Sequence, residues 1–173
     1  MMKEIKAKDL NAAKFIDEKV KEIRKAVGRG VAINALSGGV DSSVVTALGH
    51  RALGDRLRTY YIDTGLMRQN EGKKVAALFD AMGIKVEVVP AAKAFFRALK
   101  GLTDPELKRE AITQTFYREI FRKLILESGA RHLFHGTILT DVDETAAGIK
   151  RQHNIFAQIG IDPQREFGYK ILE

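Results

Sequence analysis

Short apolar runs alternate with stretches of helical periodicity along most of this chain, and that alternation limits the fold more than any other feature. Val31 to Leu36, Leu57 to Ile62 and Ile84 to Val89 have strand length and composition, and Pro90 closes the third. Around them, Ile16, Val20, Ile23 and Val27 recur at helical spacing, with Asp9 or Asn11 to cap the start and Gly28 and Gly30 to stop it. Ser42 to Leu53, Glu71 to Met82 and Ala91 to Leu99 are further expected helices. Thr103-Asp104-Pro105-Glu106 opens another, whose buried face is marked by Ile112, Phe116, Ile120 and Leu124 before Gly129 ends it. His132 to Thr137 predicts a fourth strand and Phe167 to Leu172 a fifth. Strands separated by helices must be joined by crossovers, so the expected class is α/β, a parallel sheet of about five strands with helices on both faces.

In such a sheet, ligands sit beyond the carboxyl ends of the strands. Three polar loops fall there: the one from Ser37, the turn Asp63-Thr64-Gly65, and the segment from Gly136. The first, Ser37-Gly38-Gly39-Val40-Asp41-Ser42-Ser43, leads directly into a helix, whose first N–H groups lack partners and carry the positive end of the dipole. Gly38 and Gly39 present no side chain, so phosphate oxygens can approach those N–H groups, and Ser37, Ser42 and Ser43 add hydroxyls. Asp41 would repel a phosphate unless Mg²⁺ stood between them. The competing reading is a plain strand-to-helix turn with Asp41 as cap. Neither the GxxxxGKS/T phosphate loop nor the GxGxxG dinucleotide fingerprint is present.

With 173 residues, 45% of them hydrophobic and 29% charged, the chain is most simply one domain, residues 1–173, with an N-terminal helix inside residues 1–28. It contains no cysteine, which excludes a disulfide framework, a thiolate metal centre and thiol catalysis, and fits a cytoplasmic setting. No apolar run approaches the ~18 residues of a membrane span. The formal charge of +7 favours anionic partners such as nucleotides or RNA.

The SGGVDSS stretch resembles the SGGxDS loop of the N-type PP-loop ATP pyrophosphatases, which cleave ATP between the α- and β-phosphates. Further matches are specific to the GMP synthetases. Asp63-Thr64-Gly65-Leu66-Met67-Arg68 followed by Glu71 is similar to their DTGLLR…E segment. Gly101 to Glu106 with Lys108-Arg109 is similar to GVTDPExKR. Gly136-Thr137-Ile138 with Asp141 and Glu144 is similar to GTIYPDVIES, and Ile149-Lys150 with His153-Asn154 to IKSHHN.

The resemblance implies a Rossmann-like fold of the adenine nucleotide alpha-hydrolase type and a ligase that uses ATP and Mg²⁺. A carbonyl oxygen of an anionic acceptor, xanthosine monophosphate or a relative, is adenylated with loss of pyrophosphate and then aminated. It implies nucleotide contacts at Ser37, Gly38, Gly39, Val40, Asp41, Ser42, Ser43, Asp63, Gly65, Arg68, Gly136 and Thr137. It implies metal ligation by Asp41 and Asp141, and catalytic roles for Asp41, Asp141, Glu144 and Lys150, the last on a mobile lid at about residues 138–160. Simpler readings stand beside these. Asp141 and Glu144 also suit a helix start, Lys150 a solvated basic face, Asp63 a strand-end turn and Arg68 a surface pair with Glu71; His135 and His153 suit structural histidines.

Departures from the pattern cluster on the acceptor side. Gln114 stands where the family has arginine, Leu139-Thr140 where it has Tyr-Pro, Gln152 in place of the first of two histidines, and His135 in place of glutamine. The family's amidotransferase domain and C-terminal dimerisation domain are absent from the 173 residues, so ammonia would come from solution or a glutamine amidotransferase subunit, and full-length relatives would be homodimers. Two other functions remain in play: modification of a tRNA base by the same chemistry, and nucleotide binding without an acceptor reaction.

Overall fold

In a computed structural model, residues 10–136 and 170–172 are described. Asn11 caps the first helix, α1 (Ala12–Val27), its Oδ1 accepting from the Lys14 N–H at 3.0 Å, and Gly28 closes it. The chain continues through β1 (Ala32–Ala35), α2 (Val40–Leu53), a 3₁₀ turn (Gly54–Arg56), β2 (Leu57–Asp63), α3 (Glu71–Asp80), β3 (Val86–Pro90) and α4 (Ala92–Leu99). A long helical stretch follows in three parts: α5 (Pro105–Gln114), a π-helical segment (Thr115–Phe121) and α6 (Arg122–Ser128). Strands β4 (His132–Phe134) and β5 (Lys170–Leu172) end the described residues.

All strand pairs are parallel, in the order β3-β2-β1-β4-β5. The chain thus moves from β1 out to β3, then returns past its start to lay β4 on the other side of β1. The direction reverses between β1 and β4, and a doubly wound sheet opens its ligand crevice at that point. Alternation along the strands separates two cores. Ala32, Leu57 and Phe134 pack with Val20, Val27 and Leu53 beneath α1 and α2, while Ile33, Tyr60, Ile62 and Leu133 pack with Phe95, Phe121 and Ile125 beneath α4 and α6. A smaller cluster, Leu36, Phe79 and Ile84, seats α3.

Boundaries shift by small amounts from the sequence reading. Helix α2 starts at Val40 instead of Ser42, with Gly39 at the cap position and no side-chain cap, so Asp41 lies inside the first turn. Pro90 is the last residue of β3, tolerated because that strand is at the sheet edge. The helix from Pro105 carries a π segment that the apolar spacing does not announce. The extra residue turns Phe121, 1% exposed, into the core where Ile120 was expected; Ile120 is only half-buried. The fourth strand, expected as far as Thr137, ends at Phe134, with His135 and Gly136 beyond it; Thr137 and the lid at about 138–160 lie outside the described residues. Among the described residues no helix is long and apolar enough to cross a membrane.

Candidate functional site

Strand β1 ends and helix α2 begins within a few residues, and Gly38 makes that possible. Its φ of +84° is a conformation L side chains rarely adopt, and a Cβ there would lie 2.9 Å from Val75 Cγ2 on α3. The loop is braced by its own hydroxyls. Ser42 Oγ donates to the Gly39 carbonyl at 3.1 Å, and Ser43 Oγ donates to the same oxygen at 2.7 Å. With its proton so committed, Ser42 Oγ accepts from the Ser37 hydroxyl at 2.9 Å and from the Ser37 N–H at 3.3 Å; Ser37 Oγ in turn accepts from the Gly39 N–H. All three serine hydroxyls therefore donate within the loop. The open donors are backbone groups: among the described residues, the N–H groups of Gly38, Val40, Asp41 and Ser42 have no acceptor.

A buried chain of hydrogen bonds ties this loop to the sheet. Thr59 Oγ1 on β2 donates to Asn34 Oδ1 on β1 at 2.8 Å, Asn34 Nδ2 donates to Thr46 Oγ1 on α2 at 2.7 Å, and Thr46 Oγ1 donates to the Ser42 carbonyl at 2.7 Å. Asn34 and Thr46 are almost wholly buried, where a polar group is stable only if paired. On the other side, the end of β4 presses against α2: a Cβ on Gly136 would sit 3.2 Å from the Asp41 carbonyl carbon and 3.3 Å from the Ser42 nitrogen.

A cavity of about 360 Å³ opens beside the loop, over the ends of β1, β2 and β4. Ser37, Gly39, Asp41, Ser42 and Gly136 border it, with Thr64 and Met67 from the β2 side and His135 from β4. The opposite wall is aromatic: Phe116 and Tyr117 meet edge-on at 4.8 Å, and Phe116 stacks on Phe121 at 5.9 Å. Burial pushes the Tyr117 hydroxyl up to about 12. Asp41 is exposed and is the one carboxylate among the described residues that border the cavity. Among the described residues no three His, Cys, Asp or Glu side chains converge as a metal cage. Such a donor set suits Mg²⁺ held jointly with a ligand's phosphates, because that ion takes one or two carboxylates and keeps its remaining positions for phosphate and water.

Not every expected residue borders the cavity. Asp63 accepts from the Gly65 N–H at 3.0 Å, which is the strand-end turn, and its main-chain carbonyl is bonded by the Ala91 N–H. Gly65, at φ +74°, lies against Ala92 and Phe96. Arg68 pairs with Glu71 at 3.2 Å with its side chain 90% exposed. Gly38, Val40 and Ser43 shape the loop from behind or outside. Thr137, Asp141, Glu144 and Lys150 lie outside the described residues. Sequence reasoning missed the Thr59–Asn34–Thr46 chain and the aromatic wall. A polar Asn34 inside the apolar run AINA was the available signal for the first.

A parallel α/β sheet with a Gly-Gly loop entering a helix at its switch point defines a nucleotide-binding fold of the PP-loop class. The asparagine synthase family model matches residues 24–123, and the chain belongs to that family. It is 49% identical to a subunit of the glutamine-hydrolysing GMP synthase of Archaeoglobus fulgidus over 146 residues, which is 84% of this chain and 47% of that protein. The corresponding protein of Methanoregula boonei is 49% identical over 92% of this chain and 50% of its own length. The chain thus spans about half the length of the curated relatives it matches. Among solved structures, the NH₃-dependent NAD synthetase of Campylobacter jejuni superposes with a TM-score of 0.64 at 13% identity, covering 77% of this chain and 59% of that one. The glutamine-dependent NAD⁺ synthetase of Acinetobacter baumannii gives 0.62 at 17% identity, over 86% of this chain and 29% of that one. At such identity these two structures speak for the fold alone.

Proposed function

We propose that this chain is the ATP pyrophosphatase part of a GMP-synthetase-type ligase acting in the cytoplasm. The observation that carries the reading is the loop's set of open N–H groups, those of Asp41 and Ser42 bordering a cavity of nucleotide scale and those of Gly38 and Val40 just outside it, in a loop braced by its own serines. A carbonyl oxygen of the acceptor attacks the α-phosphorus of ATP. The bond between that phosphorus and the bridging α–β oxygen breaks, and pyrophosphate departs with the electron pair. Ammonia then displaces AMP from the adenylated acceptor.

In this reading, the open N–H groups of Asp41 and Ser42 at the cavity receive the leaving pyrophosphate, and preorganised donors aimed at developing charge accelerate its departure. Those of Gly38 and Val40 lie at the loop's outer side, and Gly39 leaves the approach free of a side chain. Ser37, Ser42 and Ser43 keep the loop in shape instead of binding phosphate directly, since their protons are committed within it. Asp41, with Asp141, would hold Mg²⁺, which when bound offsets charge on the phosphates. Thr137, Glu144 and Lys150 would close the site from the segment 138–160. Asp63, Gly65 and Arg68 would act through the shape of the β2 turn. Within a single domain spanning 1–173, Gly136 keeps β4 close to the loop. A glutamine amidotransferase subunit is the proposed ammonia source, and the complete protein is proposed to be a homodimer.

Exchange of labelled pyrophosphate into ATP tests the reading. Exchange that requires xanthosine monophosphate is the expected result. Exchange that requires tRNA instead would move the acceptor to a nucleic-acid base, which the charge of +7 would suit. ATP binding without exchange for any acceptor would leave a nucleotide-binding module and remove the ligase reading.

A further inference from the structure

Three polar side chains meet inside the apolar layer between the sheet and α2: Asn34 is 1% exposed, Thr46 0% and Thr59 4%. Asn34 belongs to the central strand, opposite Thr59 on β2 and Phe134 on β4, so its backbone is held from both sides. Donor counting fixes the direction of the chain. Thr46 has one hydroxyl proton and spends it on the Ser42 carbonyl, so its oxygen accepts from Asn34 Nδ2. The amide oxygen is thereby turned toward Thr59, which donates to it. Every link points toward the loop.

Stability alone does not call for this arrangement. When a buried set of hydrogen-bonded groups is replaced together by apolar groups of the same shape, stability stays nearly unchanged or rises. What hydrogen bonds add to such a layer is direction, since they weaken steeply off-angle whereas apolar contacts tolerate sliding. Here the direction ends on Ser42. Its carbonyl is tied through Thr46 and Asn34 to the middle of the sheet, and Gly136 presses from β4 close to its nitrogen. The residue is thus held at both ends, and its N–H and that of Asp41 are the open donors at the cavity.

We propose that Asn34, Thr46 and Thr59 are positioning residues for the departing pyrophosphate, holding the first turn of α2 at the angle where the Asp41 and Ser42 N–H groups meet its charge. The inference rests on the reading of the cavity as an ATP site and deepens it. None of the three side chains touches the nucleotide; they act through Ser42. Aligned donors stabilise the charge that develops as the bond to the bridging oxygen breaks. A small rotation of the turn forfeits that stabilisation without preventing ATP from binding.

The test compares variants of the full chain by thermal melting and by pyrophosphate exchange into ATP with xanthosine monophosphate present. Thr46→Val cuts the last link and strands Asn34 Nδ2. It is expected to melt lower and to lose about 10- to 100-fold in exchange kcat, with KM for Mg-ATP within about twofold of the parent. Thr46→Ser keeps the hydroxyl and should recover most of that kcat. The triple replacement of Asn34→Leu, Thr46→Val and Thr59→Val leaves none of these polar groups unpaired, so it should regain the parent's melting temperature but not its kcat. If kcat returns together with melting temperature, the chain is a structural tie only and the inference is overturned. A loss carried by KM with kcat unchanged overturns it as well. Should the triple variant not fold, Thr46→Val and Thr46→Ser are compared where both are fully folded, and equal kcat there has the same consequence. A parent without exchange for any acceptor removes the ligase reading and this inference together, whereas an active parent matched by Thr46→Val removes only the inference.

Discussion

Asp41 occupies the first turn of α2, exposed, with open N–H groups on either side of it and the end of β4 against its carbonyl. An acidic residue in the first turn of a helix gains a few tenths of a kcal/mol, up to ~1, from the dipole, and that is all the fold requires of it. Replacement by alanine should therefore leave stability within ~1 kcal/mol while removing Mg²⁺-dependent pyrophosphate exchange. Parallel urea denaturation and exchange measurements check this; full exchange in Asp41→Ala would cancel the metal-holding role. Gly38 differs in that the fold itself demands it. Both the loop and its glycine pair are readable from local sequence, because the φ that Gly38 adopts is set by a turn only a few residues long. Which hydroxyls remain free for a ligand is not so readable. The answer, none of the three serines, follows from how the loop closes on the Gly39 carbonyl.

The stretch from Pro105 to Ser128 decides the shape of the cavity wall. Asp104 caps its start, accepting from the Glu106 and Leu107 N–H groups at 2.9 Å, as the sequence reading anticipates. The π segment then changes the periodicity: the Arg122 N–H bonds to the Tyr117 carbonyl, five residues back, which brings Phe116, Tyr117 and Phe121 to one side. A pattern counted at a helical repeat of 3.6 residues cannot find such an insertion, since apolar residues at both 120 and 121 satisfy either winding. Tyr117 provides the test. Its hydroxyl titrates near 12 when folded, against an ordinary value of 10, so between those values the unfolded chain loses its proton first. Unfolding is favoured as pH rises: the contribution is complete below pH 10 and is lost toward pH 12, about 3 kcal/mol in all. Urea titrations from pH 8 to 12 should show Tyr117→Phe losing stability more gently than the parent. Identical slopes would mean that the phenol is not desolvated.

Across the whole molecule, the absence of any cysteine separates two halves of the proposed chemistry. In the proposed reading, activation of the acceptor uses the loop, the cavity, the residues proposed from 137–150 and the metal nucleotide, none of which is a thiol. Release of ammonia from glutamine through a thiol has no nucleophile in this chain. Ammonium should therefore support amination, whereas glutamine should be inert until an amidotransferase is added. Chromatography of the nucleotide products reads this directly, and glutamine-dependent product from the chain alone would contradict it. The doubly wound order places β1 at the centre, so that the loop after it and the exit of β4 flank the switch point, and this is what makes one crevice from segments about a hundred residues apart.

What the sequence determined by itself was local: the alternation of strands and helices, the caps, and the Gly-Gly entry into α2, each set by the backbone preferences of neighbouring residues. The tertiary structure decided the order β3-β2-β1-β4-β5 and the hydrogen-bond chain from Thr59 through Asn34 and Thr46 to the loop. Those features depend on partners distant in sequence, and their energies arise only when packing removes water from between them.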